Sequence, residues 1–451
     1  MVFSDIFLGP LYALLLILLA LWMRKKWAQK KLRPFFLPAL MVKLVGATVF
    51  ALIYQFYYGG GDTFEYYNAS QHVRRAVFEQ PALGAEILFT PAGHFTTENV
   101  RYTSRTRYFR SSEEWALSRI TTLVGLLAAN SYLGISYFFG FFAFLGTWRL
   151  YQVFVALYPD FYKPFFVATF LMPSMVFWAS GLLKDTVVLG GVGFLTYAAI
   201  NIFYRRHLLV NGLTAVLVIF LISSLKIYVL YTLVPALLLW YYLKVQGLIR
   251  NPILKAAVLP FLLLVVSLLG FLLFRTLANQ ASEKYSDVDT ITTRVQDFHW
   301  DHSLRAGGSS YTLGEVTYTP LGILQKAPAS INVTLYRPYL WEARNAVVLI
   351  SAFESFAYLV ITIMALFTLS PKRVAKLFGN PEWWLCMVFT LLLGFVVGFV
   401  SYNFGALARF KVPLMPFFGI ALSLAFYLGK NPSQRNQRKK LKKLEAFAST
   451  E

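Results

Sequence analysis

Eleven apolar runs of about twenty residues constrain this chain more than any other feature of its sequence. An α-helix rises ~1.5 Å per residue, so each run is long enough to cross the ~30 Å hydrocarbon core of a bilayer. The runs lie roughly at 5–23, 38–58, 133–157, 163–181, 186–204, 208–224, 227–243, 254–274, 346–369, 382–401 and 410–429. The expected fold is therefore all-α, a polytopic transmembrane helical bundle of about 11 helices. Only 14% of the 451 residues are charged, where soluble domains carry about a quarter. A transmembrane β-barrel would instead need ~10-residue alternating segments, and the sequence has no such pattern. Cys386 is the only cysteine, which excludes an intrachain disulfide framework or a thiol pair. The first run has its basic cluster behind it and not before it, so it reads as a retained helix and not as a cleaved signal.

The basic clusters orient the bundle. RKKWAQKKLR at 24–33, YRRH at 204–207, SPKRVAK at 370–376 and QRNQRKKLKK at 434–443 fall on one face if all eleven runs cross. The positive-inside rule makes that face cytoplasmic, with the N-terminus outside and the C-terminus inside. The same rule, with attraction to anionic lipid, accounts for the formal charge of +21. Membrane lipids are the expected partners, and nucleic acid is not. Residues 1–429 form the expected membrane domain, followed by a basic cytoplasmic tail at 430–451. Two long loops, about 59–132 and 275–345, then lie outside. The first contains YNASQHVRRAVFEQ and SSEEWALSRITTLVGLLAA, both readable as amphipathic helices of the membrane interface. Ser111 is placed to cap the second, with Glu113 and Glu114 in its first turn.

This topology delivers acids and bases from distant stretches to one membrane face. Asp62 and Glu65 follow three glycines in YYGGGDTFEYYN at 57–68. Lys184 and Asp185 sit in LLKD, and Lys226 sits at the tip between two runs. Arg337, Glu342 and Arg344 precede the ninth run, Glu354 lies inside it, and Arg409 and Lys411 open the last. Charges at membrane depth are costly and either line a cavity or pair with one another. For each of Lys184, Asp185, Arg409 and Lys411 taken singly, a helix end at the interface is the favoured reading, since helix-end lysines and arginines snorkel. Glu354 is too short to reach the surface, so it reads as a salt-bridge partner or as a site residue. Asp62 is the leading candidate for a general base, because the glycines let backbone approach a ligand closely and a base must reach its proton. The competing reading is a flexible turn with a helix-capping aspartate.

RYTSRTRYFR at 101–110 sets Arg101, Arg105, Arg107 and Arg110 among aromatics. Guanidinium forks suit a lipid phosphate or diphosphate, and a solvated basic loop is the alternative. DFHWDH at 297–302 offers Asp297, His299, Asp301 and His302 to a divalent cation, but its spacing fits no metal motif and a surface loop is favoured. No cofactor is required, and a divalent cation is compatible with the chemistry. NVT at 332–334 matches an N-glycosylation triplet.

GGGDTFEYY, an acid in the first large external loop directly after a membrane helix, resembles the GT-C superfamily of polyprenyl-phosphate-sugar-dependent glycosyltransferases. MPSMVFWASGLLKDTVVLGG, TLYRPYLWEARNAVVLISAFE and ARFKVPLMPFF resemble segments of bacterial cell-envelope proteins of this kind. The resemblance implies that Asp62 is the base or acceptor-binding residue, with Glu65 second to it. It also implies a polyprenyl-linked sugar donor and a glycan or lipid acceptor at the bacterial cytoplasmic membrane. The chain departs from the pattern in its additional helix before the acid-bearing loop and in lacking a soluble C-terminal domain. An oligosaccharide-repeat polymerase, a transporter or flippase for an anionic lipid-linked glycan, and a non-catalytic assembly subunit are the other readings.

Overall fold

A computed structural model describes residues 4–246, 310–316 and 320–429, together with the single positions 268 and 272. The expected run 254–274 (those two positions apart), the DFHWDH stretch and the tail 430–451 lie outside the described residues. Among the described residues the secondary structure is helical, with one isolated antiparallel bridge between Ser310 and Asn403. The chain divides into two compact units. The first comprises Met1–Gln152, Met175–Ala198 and Leu209–Ile227; the second comprises Val153–Ser174, Ala199–Leu208 and Tyr228–Glu451.

In the first unit α1 (Asp5–Trp27) ends on Arg24, Lys25 and Lys26, cations that complement the partial negative charge of a helix C-terminus. α2 (Arg33–Leu52) starts with Pro34 in its first turn, where the missing N–H costs nothing. It continues through a π-turn, Ile53–Tyr57. Gly59, Gly60 and Gly61 then stop it with φ of 65°, 154° and 124°, values that glycine adopts without a Cβ penalty. The expected first loop is itself helical: α3 (Asp62–Glu79), α4 (Pro81–Phe89) and α5 (Ser112–Leu127), with single turns at Val100–Thr103 and Arg107–Arg110. Val73, Ala76, Leu83, Ile87, Tyr102, Phe109 and Trp115 form a buried cluster among these elements.

α6 (Tyr132–Leu157) and α7 (Lys184–Phe203) cross with their backbones touching. A Cβ on Gly146 would stand 2.0 Å from the Gly190 carbonyl oxygen, and one on Gly193 would stand 2.1 Å from that of Gly146. Close approach at small residues is how membrane helices gain dispersion contacts without a hydrophobic driving force.

α8 (Leu208–Val245) contains one non-helical residue, Lys226, at φ −156° and ψ 75°. Asp185, at the start of α7, meets Lys226 at 2.5 Å. Phe203, at the end of α7, packs on Trp240 and Tyr241 with ring centroids 5.1 and 5.4 Å apart. α8 is therefore broken at Lys226 into two parts that correspond to the expected runs 208–224 and 227–243.

In the second unit α9 (Ala327–Tyr336), α10 (Ala346–Thr368), α11 (Pro381–Val400), α12 (Phe404–Phe410) and α13 (Met415–Gly429) are the main elements. Asparagine side chains cap three of them: Asn345 accepts from Val348 N, Asn380 from Trp383 N, and Asn403 from Gly405 and Ala406 N. Each cap satisfies backbone donors that have no partner within the helix. α9 lies hard against α11, where a Cβ on Gly398 would stand 2.0 Å from the Ser330 carbonyl oxygen.

Seven described helices are long and apolar enough to span a membrane, or eight if the bent pair Phe404–Phe410 and Val412–Leu428 is one span. The protein is thus a helical membrane protein. The expected run 163–181 is not one helix. It consists of Tyr162–Phe166, a π-turn at Val167–Leu171, an extended Met172 and the short Pro173–Val176. Pro173 has no N–H to continue the ladder and holds Met172 in the extended region; a window that scores only apolar length misses this.

Candidate functional site

In the first unit Asp62 is the first residue of α3, and Gly61 occupies the capping position before it. The carboxylate is half-buried, and the Tyr108 hydroxyl donates to its Oδ1 at 3.2 Å. The Tyr108 ring rests on Tyr66 with centroids 4.7 Å apart. Burial, and then the neighbouring Asp62 carboxylate, push the Tyr108 phenol upward, so it stays a hydrogen-bond donor. A Cβ at Gly59 or Gly60 would meet nothing within 4 Å, which leaves open space beside the turn. Glu65 is exposed in the same first turn of α3.

Lys184 does not snorkel at the end of α7. Its ammonium donates to Glu113 Oε2 at 3.1 Å and to Glu114 Oε1 at 2.9 Å. A lysine at a helix N-terminus faces the positive end of the dipole, and these two carboxylates offset that. Ser111 precedes α5 as expected, but its hydroxyl donates to Glu114 Oε2 at 2.8 Å and does not cap a backbone N–H. Burial raises the Glu114 carboxyl, whereas the charge and hydrogen bond of Lys184, with the Ser111 hydroxyl, hold it below its ordinary value; Asp62 lies close enough to oppose them. Glu113 and Glu114 thus share one ammonium, and Asp62 lies near Glu114. Asp185 and Lys226 form a separate pair beneath the surface, both buried.

Arg101, Arg105, Arg107 and Arg110 are all exposed. Arg101 pairs with Glu79 at 3.6 Å and stands 5.6 Å from the centre of the Tyr102 ring. Partial burial, then Arg105 and Arg75, push the nearby His72 imidazole downward.

The second unit gathers the remaining candidates. Glu354 lies eight residues into α10, about 12 Å along its axis, and is 2% exposed. It accepts from Ser174 N at 2.5 Å and from Ser174 Oγ at 2.7 Å. Buried Lys411 faces Glu354 electrostatically and donates to Ser355 Oγ at 3.2 Å. Ser355 in turn donates to the Arg337 carbonyl at 3.0 Å. The Arg337 guanidinium forks onto Glu342, which also accepts from Tyr339 N at 2.8 Å. Arg409 is half-buried on α12, two residues before Lys411, and Arg344 is exposed.

Two sets of expected residues are therefore assembled, each within its own unit: Asp62, Glu65, Lys184, Asp185 and Lys226 in the first, Arg337, Glu342, Glu354, Arg409 and Lys411 in the second. Sequence reasoning missed several of their partners. Lys43 on α2 is 0% exposed and donates to the Met175 and Ala179 carbonyls at 2.6 and 3.1 Å. A lone lysine inside an apolar run is a signal in itself. Lys244 pairs with Glu382 at 2.5 Å, and Glu382 also accepts from the Tyr158 hydroxyl at 3.0 Å. The NVT triplet is helical. Thr334 is buried, donating to the Gly394 carbonyl at 2.7 Å, unlike the exposed loop that glycosylation requires.

Among the described residues, no group of three or more His, Cys, Asp or Glu side chains is placed to hold a metal ion. In comparisons with known proteins, no family model, no curated protein and no solved structure matches this chain.

Proposed function

We propose that this protein is a membrane glycosyltransferase of GT-C type. It moves a sugar from a polyprenyl phosphate or diphosphate carrier to a cell-envelope glycan or lipid, at the outer face of the bacterial cytoplasmic membrane. The observation that carries the reading is Asp62: a half-buried carboxylate on the first residue of α3, beside an open glycine turn, held by a tyrosine hydroxyl. Asp62 takes the proton from the acceptor hydroxyl. The acceptor oxygen bonds to the anomeric carbon, and the bond from that carbon to the carrier phosphate breaks, its electron pair leaving with the phosphate. Tyr108 orients the base. Charge developing on the leaving phosphate needs fixed cations, and within the unit that carries Asp62 the exposed Arg101, Arg105, Arg107 and Arg110 are the candidates. Lys184 is a weaker one, because two carboxylates already hold it.

The proposal includes eleven crossings with the N-terminus outside. Lys184 supports it: the chain leaves the 59–131 segment through α6, and at Lys184 it is beside Glu113 and Glu114 of that segment again. Residues 158–183 then cross back despite their broken helix. Cysteines introduced at 206 and 440 should be inaccessible to a membrane-impermeant reagent in intact cells. Labelling of either overturns the orientation.

Asp62→Asn keeps size and removes the base, so transfer should fall about 10²–10⁴-fold, and Glu65→Gln should do less. The assay follows sugar incorporation into envelope glycan alongside protein abundance in the membrane. Normal incorporation by Asp62→Asn at normal abundance refutes the catalytic role.

A second reading, transport of an anionic lipid-linked glycan, has one observation in its favour. The 162–183 segment is discontinuous, and charged side chains hold its backbone: Glu354 at Ser174 N, and Lys43 at two carbonyls. Broken helices line substrate paths in transporters. A flipping assay with a fluorescent lipid-linked sugar separates the two readings, since Asp62→Asn leaves translocation intact only in a transporter.

A further inference from the structure

The α3–α5 region has a core of its own, yet it leaves a second set of large apolar side chains outside that core. Phe78 and Phe89 are 68% and 83% exposed, and Leu123 and Leu127 are 52% and 70% exposed. Along α4 the exposed Ala82, Ala85 and Phe89 keep one face, and exposed Phe78 stands at the end of α3, just before the non-helical Gln80. Along α5, Leu123 and Leu127 are one turn apart on a single face. The two stripes are tied together. The Trp115 indole donates to the Thr90 carbonyl at 3.0 Å, and Arg119, one turn before Leu123, donates to the Leu88 carbonyl at 3.2 Å.

Two observations say what covers this face. First, it runs into the membrane. Leu127 is the last residue of α5, five residues before the start of α6, and its carbonyl accepts from Tyr12 of the spanning helix α1 at 3.2 Å. Second, arginines border it. The Arg74 guanidinium lies 5.6 Å from the centre of the Phe78 ring, and Arg119 stands between α4 and the Leu123 turn. Apolar side chains in the acyl boundary with cationic groups at the phosphates are the arrangement of an interfacial helix.

We infer that the face carrying Phe78, Ala85, Phe89, Leu123 and Leu127 is seated in the lipid of the host bilayer. Arg74 and Arg119 lie at the level of the phosphates. Seating of α3 through Phe78 fixes the height at which its first residue, Asp62, meets a lipid-borne substrate. Only this last consequence rests on the glycosyl-transfer reading.

The test uses the full chain in nanodiscs of phosphatidylethanolamine and phosphatidylglycerol. Cys386 is replaced by alanine, and nitroxides are placed at 78, 89 and 123, with controls at exposed Glu65 and Arg101. Oxygen collisions should exceed those of a water-soluble nickel complex at 78, 89 and 123, with the reverse at 65 and 101. Nickel-dominated collisions at the first three positions mean open solvent and overturn the seating. Low collisions with both reagents mean cover by protein, such as a second copy, and overturn it as well. The unmodified chain gives an independent readout. A phospholipid with a diazirine near the top of its acyl chain should form adducts within 78–89 and 119–127, and adducts confined to the spanning helices reject the proposal. Neither measurement involves sugar transfer. A seated face with an active Asp62→Asn protein fails only the catalytic reading, and an unseated face with an inactive one fails only the seating.

Discussion

The buried pair Asp185–Lys226 offers the sharpest energetic test of this architecture. Its ammonium and carboxylate are 2.5 Å apart, with side chains 4% and 0% exposed. At an effective dielectric of ~20 the Coulomb attraction at that distance is about 6–7 kcal/mol. Desolvation costs several kcal/mol per ion, so the intact pair is worth little against a neutral replacement. Removing one partner is different, because the other charge stays buried without its counter-ion, at a cost of about 3–5 kcal/mol. Asp185→Asn and Lys226→Met should each lose that amount, about a hundred- to a few-thousandfold in the folding constant. The double variant should return to within about 1 kcal/mol of the native protein, since it buries no charge at this position. The measurement is reversible unfolding in mixed micelles by added sodium dodecyl sulfate, followed by circular dichroism. If the double variant loses the sum of the two single losses, the residues do not act as a pair. The account of the α8 kink then fails too, because Asp185 is the partner of its non-helical residue, Lys226.

Gly146→Ala places a Cβ 2.0 Å from the Gly190 carbonyl, so α6 and α7 must separate, at a cost of at least the ~1–3 kcal/mol of an overpacked core. Gly212→Ala, with nothing within 4 Å, should be neutral or slightly stabilising, and thermal unfolding in detergent compares the two. Glu114 is held below its ordinary value of 4.5 despite its burial. Its stabilisation is therefore present above pH 4.5 and is lost as acid passes through the lower native value. In Lys184→Met the depressing charge is gone and burial dominates, so the stability gap to the native protein should narrow as pH falls from 7; a gap that widens on acidification contradicts the assignment. Tyr108→Phe removes one hydrogen bond to Asp62, worth about 1.5–3 kcal/mol to a charged acceptor, and should slow sugar incorporation less than Asp62→Asn does. An effect as large as that of Asp62→Asn would give Tyr108 a direct part in the chemistry.

The membrane class and most helix positions were determined by the sequence alone. The runs read at 5–23, 38–58, 133–157, 186–204, 346–369 and 382–401 correspond to helices at 5–27, 33–57, 132–157, 184–203, 346–368 and 381–400. A spanning helix satisfies its backbone within itself, so local apolar length suffices to find it. The same holds for α3 and α5, whose amphipathic period and acidic first turns are local signals. The breaks were less legible. The interruption around Met172 depends on where the backbone groups near Pro173 find partners. Those partners belong to tertiary structure: Ser174 N meets Glu354, and the Met175 and Ala179 carbonyls meet Lys43 more than 130 residues away. The candidate site divides in the same way. Asp62 could be singled out from its glycines, because the turn and the helix start are written in adjacent residues. That Lys184 is held by Glu113 and Glu114, that Asp62 is held by Tyr108, and that Lys411 reaches Ser355 were decided by packing alone. A charge in a low-dielectric interior takes the partner that the fold brings within hydrogen-bond reach, and no local sequence period encodes which partner that is.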